Sequence, residues 1–153
     1  MLEDQSQGAA SQVEFSNLLT KLLQSGIDMT NSDSKDVRLK EAGVIVLDCM
    51  IEVTDELYPD RRHLVLNHLK RVLLFDKTPL EVCSNLIRST ASSLGHFARI
   101  ANSAEIELLQ DDLVVNACTW LGETKSECHR FAGVVLLTQL AINSPNIVHN
   151  KRK

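Results

Sequence analysis

The histidines and cysteines are the side chains with the greatest potential for chemistry, because they bind metal ions and serve as nucleophiles or bases. His63 and His68 are five residues apart, which separates them by about 140° around a helix, too far to converge on one ion. Cys128 and His129 are adjacent and point in different directions. A nucleophilic cysteine needs a positioned base, and the sequence indicates none. We therefore expect no metal ion and no cofactor.

Phosphate chemistry is not indicated either. The six glycines are scattered and form no phosphate-binding loop. His129-Arg130-Phe131 resembles the catalytic-loop triplet of protein kinases, but the proton-accepting aspartate, the downstream asparagine and the Asp-Phe-Gly triplet are missing. We therefore expect no kinase, hydrolase or metal-dependent activity from this chain.

A basic cluster on the predicted helix 59–75 is the remaining candidate for a functional surface. Its candidate partner-binding residues are Arg62, His63, Lys70 and Arg71, mostly off the apolar stripe of the helix. They would attract an acidic partner or an anionic membrane surface. The alternative is a solvated helix face with no binding role. Trp120 is a second candidate for an interface, although a lone tryptophan in a helical stack is more often a core residue.

The composition indicates what class of protein holds these residues in place. The 153 residues are 44% hydrophobic and 24% charged, which suits one globular domain. Only 4% are aromatic, so the core must be aliphatic. The net charge of −4 argues against a general nucleic-acid binder. Four cysteines without a close pair, and no signal core or membrane-length apolar run, favour a cytoplasmic protein.

Apolar residues recur at helical spacing through most of the chain. We predict helices over 13–24, 35–53, 59–75, 80–98, 104–121 and 125–143. In the first, Phe15, Leu18, Leu19 and Leu22 should face the core, and Gly26 is a plausible stop signal. The β-branched runs 44–47 and 134–137 lie inside longer helical patterns, so we expect no strand there. The polar residues 1–12 indicate a disordered lead-in, 13–149 the folded domain and 150–153 a basic tail.

An internal repeat is the strongest pattern in the sequence. Residues 42–47, Ala-Gly-Val-Ile-Val-Leu, recur as Ala-Gly-Val-Val-Leu-Leu at 132–137, 90 residues later. A weaker copy lies between them, and the three copies begin near Asp36, Glu81 and Glu127. A period in the mid-forties with two helices per unit is typical of HEAT repeats. The predicted fold is therefore an all-α HEAT/armadillo-like helical-repeat solenoid of about six helices and three repeats; an irregular helical bundle is the alternative.

The segment 120–145 adds a more specific resemblance. Trp120-Leu121-Gly122, His129-Arg130, Leu140-Ala141 and Pro145 resemble a stretch of the N-terminal HEAT region of target-of-rapamycin (TOR) kinases. The likeness covers roughly residues 35–149, but Thr138-Gln139 stands where family members usually have a charged pair. The resemblance implies a scaffold that holds accessory subunits of the TOR complex or receives a small GTPase. It further implies peripheral association with endomembranes through the complex. The kinase domain of these very large proteins lies far outside a chain of this length.

Two other function classes remain open at this point. One is a HEAT or armadillo adaptor of another kind, such as a transport receptor or a phosphatase scaffold, and the other is an enzyme without a recognisable motif. The helix 125–143 is apolar on almost all sides. We therefore expect an apolar surface at that end of the stack, covered by further repeats or by another subunit.

Overall fold

A computed structural model describes residues 2–31, 36–53, 59–122 and 126–149. Within these ranges every regular element is helical and no strand occurs, which confirms the all-α prediction. Both β-branched runs lie inside helices. The α-helices are α1 Leu2–Asn31, α2 Val37–Val53, α3 Pro59–Leu73, α4 Leu80–Ile100, α5 Ser103–Leu109, α6 Val115–Leu121, α7 Glu127–Asn143 and α8 Pro145–His149. A π-helical turn, Gln110–Val114, joins α5 to α6.

The first helix is longer than its sequence pattern predicts. It begins at Leu2 and ends at Asn31, so residues 2–12 are helical where the composition indicated a disordered lead-in. Gly26 does not end the helix. Its Cα faces α2, where an added Cβ would lie 3.0 Å from Cδ2 of Leu47, so it is a packing glycine. The predicted basic tail, 150–153, lies outside the described residues.

The buried face of α1 is also shifted by one position from the prediction. Phe15, Leu18 and Leu22 are exposed, whereas Leu19 and Leu23 are buried together with Gly26. The prediction is confirmed for Leu19 and wrong for Phe15, Leu18 and Leu22, because the leucines of this helix are adjacent in pairs. Either phase then gives an apolar stripe, and only the neighbouring helix decides which one is covered.

Local signals in the sequence account for several helix starts. Asn102 and Glu105 form a capping box at α5, in which each side chain accepts a hydrogen bond from the other residue's backbone N–H. The Ser126 side chain accepts from the backbone N–H of His129 at the start of α7. Asp36 accepts from the backbone of Arg38 before α2. These caps satisfy N–H groups that a helix cannot pair internally.

The helices lie in two rows. Helices α2, α4 and α7 pack side by side in chain order, with α4 in the middle. On the other side, α1 packs against α2 and α3, α3 against α4, α6 against α7, and α8 against α7 and the π turn. The central helix α4 is the most buried. Its fully buried residues include Cys83, Leu86, Ile87, Ala91, Leu94 and Phe97. The core is largely aliphatic, as the composition predicts.

Candidate protein-binding surface

The basic cluster of α3 divides into residues that the fold uses internally and residues that face outward. Arg62 belongs to the first group. The residue is 7% exposed, and its Nε lies 2.6 Å from Oε2 of Glu105. It donates to the carbonyl oxygens of Ile51 at 3.3 Å and Ile100 at 3.4 Å. Its guanidinium lies 4.7 Å from the ring centre of Phe97.

Arg62 is therefore a structural residue that ties α3 to the ends of α2 and α4 and the start of α5. Its prediction as a partner-binding residue is corrected by this burial. The helix wheel indicates this burial, because Arg62 lies three, seven and eleven residues before the buried Val65, Leu69 and Leu73. It does not indicate the partner, since Glu105 is 43 residues away. A charge reversal at Arg62 would damage the fold, so it is unsuitable as a probe of binding.

Lys70 is also engaged within the protein. Its Nζ pairs with Oδ2 of Asp112 in the π turn, and Oδ1 of Asp112 accepts from the Asn116 side chain at 2.6 Å. Partial burial lowers the pKa of Lys70 below its ordinary value, because desolvation disfavours the charged ammonium. Lys70 contributes to the contact between α3 and the π turn rather than to an open basic surface.

His63 and Arg71 face solvent. They are eight residues apart, which corresponds to about 12 Å along the helix. His68 lies between them and is half-buried; its Nδ1 is buried and has no hydrogen-bond partner among the described residues. Burial, and secondarily the charge of Arg71, lowers the pKa of His68. Of the predicted cluster, two separated residues, His63 and Arg71, therefore lie on the surface of α3.

A second surface, which the sequence interpretation missed, lies on the row α2–α4–α7. Three shallow depressions of about 370, 470 and 230 Å³ meet at Arg88. We call this surface the Arg88 groove. Its lining side chains include Ile45, Ser84, Arg88, Ser92, Phe131, Val134 and Gln139. The signal in the sequence is the absence of an acidic residue three or four positions from Arg88, where Ser84, Asn85, Ala91 and Ser92 stand.

The two buried cysteines form a thiol pair between α4 and α7. Sγ of Cys83 lies 3.6 Å from Sγ of Cys128, and both thiols point at the carbonyl oxygen of Thr78. Burial, and secondarily the hydrogen-bond contact with Cys83, raises the pKa of Cys128 to about 11. A thiol with so high a pKa is a poor nucleophile near neutral pH. No group of three or more His, Cys, Asp or Glu suited to a metal ion occurs in the described ranges.

The kinase-like triplet serves the packing of α7. His129 Nε2 lies 3.3 Å from the carbonyl oxygen of Leu74 and 3.4 Å from Oδ2 of Asp76. The Phe131 ring centre lies 5.3 Å from the Arg88 guanidinium. Trp120 is half-buried and packs against the core. Among the described helices, none combines the length and the apolar character that a bilayer crossing requires.

The chain was compared with known protein families, proteins and structures. No model of a protein family, no curated protein and no solved structure matches the chain.

Proposed function

We propose that this chain is a non-catalytic scaffold, built from HEAT-type helical repeats, that binds other proteins. The observation that carries the proposal is the sequence separation of side chains that join neighbouring helices of one row. Between α3 and α5 or the π turn, Arg62–Glu105 and Lys70–Asp112 are 43 and 42 residues apart. Between α4 and α7, Cys83 and Cys128 are 45 apart.

The same separation recurs at the other end of the chain. Arg61 on α3 donates to Ser16 on α1 across 45 residues. His96 on α4 contacts Asp48 and Glu52 on α2 across 48 and 44 residues. Neighbours at a nearly constant separation are parallel helices related by one repeat period. This is the arrangement expected when two-helix units of mid-forties length stack on each other.

The recurring Ala-Gly-Val sequence supports the same proposal through packing. A Cβ on Gly43 in α2 would lie 3.0 Å from the carbonyl oxygen of Gly26 in α1. A Cβ on Gly133 in α7 would lie 2.8 Å from the carbonyl oxygen of Ala117 in α6. In both copies the missing side chain of the glycine lets the backbone of the preceding helix approach closely. The residue at the point of contact is itself small, Gly26 in one copy and Ala117 in the other. The intrinsic cost of glycine in a helix is thereby offset by close packing.

A π turn interrupts the helix between the second and third copies. It spans 110–114, and a π-helical turn holds one residue more than an α-helical turn. Across this interval Cys83 and Cys128 keep a separation of 45 residues, so the π turn lies within the repeat period and does not lengthen it.

Within this proposal, the resemblance to TOR kinases names the partners. The chain would hold an accessory subunit of the TOR complex or a small GTPase, in the cytoplasm or at endomembrane surfaces. Stacked helices give extended surfaces, and protein partners use such surfaces without any reacting group on the scaffold.

Binding measured with purified proteins tests this function. The full chain is immobilised and exposed to TOR-complex accessory subunits, a small GTPase in both nucleotide states, a transport cargo and a phosphatase catalytic subunit. We expect saturable binding to an accessory subunit or the GTPase without added ATP. Binding to the cargo or phosphatase alone would assign the scaffold to another system. Phosphate release from ATP by the chain alone would contradict a non-catalytic role.

A further inference from the structure

The two rows of helices differ in how closely their members approach. In one row, α4 packs extensively against both α2 and α7. In the other row, the backbone of α3 comes close to that of α5, the π turn or α6 at few positions. Gly95 contributes to the closer spacing, because a Cβ there would lie 2.6 Å from the Asn143 side chain of α7. In a stack of helix pairs, the more closely spaced row lies on the concave side, which repeat proteins use for binding.

Several exposed positions in the central part of this closer row are uncharged. They are Ala42, Ile45 and Cys49 on α2, Asn85, Ser89 and Ser92 on α4, and Val134, Thr138 and Ala141 on α7, with Arg88 exposed among them. Three carboxylates also line the Arg88 groove: Glu81 and Glu127 in one depression, and Asp48 in another, where it contacts His96 at 3.2 Å.

The Phe131 ring orients the Arg88 side chain, but no carboxylate in the described part of the chain pairs with its charge. Its guanidinium lies 5.3 Å from the ring centre of Phe131, and no hydrogen bond or ion pair to it occurs there. Stacking on an aromatic ring leaves the N–H groups at the edge of the guanidinium free to donate. That edge is suited to a carboxylate, which accepts two parallel hydrogen bonds from arginine.

Exposed aliphatic side chains stand on both sides of Arg88. Ile45 of α2 is 64% exposed and Val134 of α7 is 53% exposed. Each lines a depression that also contains Arg88. The serines between them are short enough to let another backbone or side chain approach α4 closely. The surface therefore combines one donor of a bidentate hydrogen bond with an apolar contact on each side.

We propose that the Arg88 groove binds an acidic–aliphatic segment of a partner protein. An Asp or Glu carboxylate of that segment pairs with Arg88, and aliphatic side chains flanking it cover Ile45 and Val134. The inference rests on the proposed scaffold function and names the face and the partner chemistry. Because Glu81 and Glu127 line one depression beside Arg88, the segment places a single carboxylate at Arg88 and no run of negative charge. Nucleic acid, with a phosphate on every nucleotide, is therefore disfavoured on a chain of net charge −4.

Two synthetic helical peptides serve as probes. Both are capped 14-residue peptides with leucines three residues before and four after a central position, occupied by Glu in one and Gln in the other. Binding to the 153-residue chain is followed by fluorescence anisotropy and by amide chemical shifts. We expect the Glu peptide to bind about tenfold more tightly than the Gln peptide, with the advantage falling as salt rises.

Variants locate the site. Arg88→Gln should remove the preference for the Glu peptide, and Ile45→Ser should weaken both peptides severalfold. Both positions are exposed, so the circular dichroism spectrum and Tm should stay close to those of the unchanged chain. Arg71→Gln is the matched control, because it neutralises an exposed arginine of the other row. It should alter peptide affinity by less than twofold.

The outcomes separate this inference from the scaffold proposal. Equal binding of the two peptides, no binding by either at millimolar concentration, or unchanged preference in Arg88→Gln would overturn the inference. If an accessory subunit or GTPase still binds the chain and its Arg88→Gln variant alike, the scaffold function stands and the assigned face is wrong. If no protein partner binds the unchanged chain, the scaffold function itself fails.

Discussion

Arg62 and Glu105 are joined at 2.6 Å, between Nε and Oε2, while Oε1 of the same carboxylate accepts from the backbone N–H of Asn102 at 3.1 Å. One carboxylate thus closes the capping box of α5 and holds the guanidinium of α3. The side chains of the pair are only 8% and 18% exposed. Removing either partner would leave the other largely buried without its counter-charge.

Replacing Arg62 by methionine should therefore lower the free energy of unfolding by about 3 kcal/mol, although the replacement is apolar. Urea denaturation followed by circular dichroism measures the change. His63→Ala on the same helix is the control, and its effect should stay within about 0.5 kcal/mol because His63 is exposed. Equal midpoints for Arg62→Met and the unchanged chain would mean that the pair does not support the fold.

The close helix crossings reverse the usual effect of replacing glycine in a helix. Alanine is intrinsically better by about 1 kcal/mol, but a Cβ at Gly133 would lie 2.8 Å from a backbone oxygen of α6. We expect Gly133→Ala to destabilise the fold by about 1–3 kcal/mol. Gly122→Ala is the matched control, since its nearest atom would be 3.6 Å away. A rise in Tm for Gly133→Ala would refute the packing role of this glycine.

The four cysteines should differ strongly in reactivity. Cys49 and Cys118 are exposed, whereas Cys83 and Cys128 are buried. With the pKa of Cys128 raised to about 11, only about one such thiol in a thousand is ionised at pH 8. Peptide mapping after timed iodoacetamide treatment should find the exposed pair alkylated first. In urea all four should react at similar rates; slow reaction of Cys49 or Cys118 in the folded chain would contradict the structure.

Stability should fall on mild acidification, in part through His68. Burial lowers the pKa of His68 in the folded state below 6.5, so the unfolded chain binds more protons as the pH falls through this value. Folding is then favoured on the alkaline side and weakened below about pH 6.5. Urea unfolding between pH 7.5 and pH 5 should show a shallower pH dependence for His68→Gln. Parallel curves for the variant and the unchanged chain would exclude this contribution.

The helices were accessible to sequence reasoning because their apolar periodicity is strong. Their rotational phase was less accessible: in α2 the run Val44-Ile45-Val46-Leu47 offers an apolar side chain in every direction, and the fold buries Val44 and Leu47 but leaves Ile45 exposed. The glycine of each Ala-Gly-Val copy, Gly43 and Gly133, lies at a close helix contact.

The candidate site was harder to predict because charges were judged by their position on a single helix. Arg62 and Lys70 looked like members of a basic face, but Glu105 and Asp112, their partners, come from a helix more than 40 residues later. Arg88 stands among serines in the sequence, and no carboxylate among the described residues forms an ion pair with it, although Glu81 and Glu127 line the same depression. Whether a surface cation is free is decided by tertiary neighbours, which local spacing does not specify.

The π turn makes the backbone of α5–α6 less regular, but it aligns α6 with the neighbouring helix α7. One added residue rotates everything after it by about 100° relative to an uninterrupted helix, and with that rotation Ala117 meets Gly133. Deleting a residue within 110–114 would give α5–α6 a more ideal backbone and yet turn Ala117 away from α7. Small insertions and deletions at this point therefore act on the angular alignment of successive units, while the individual helix tolerates them.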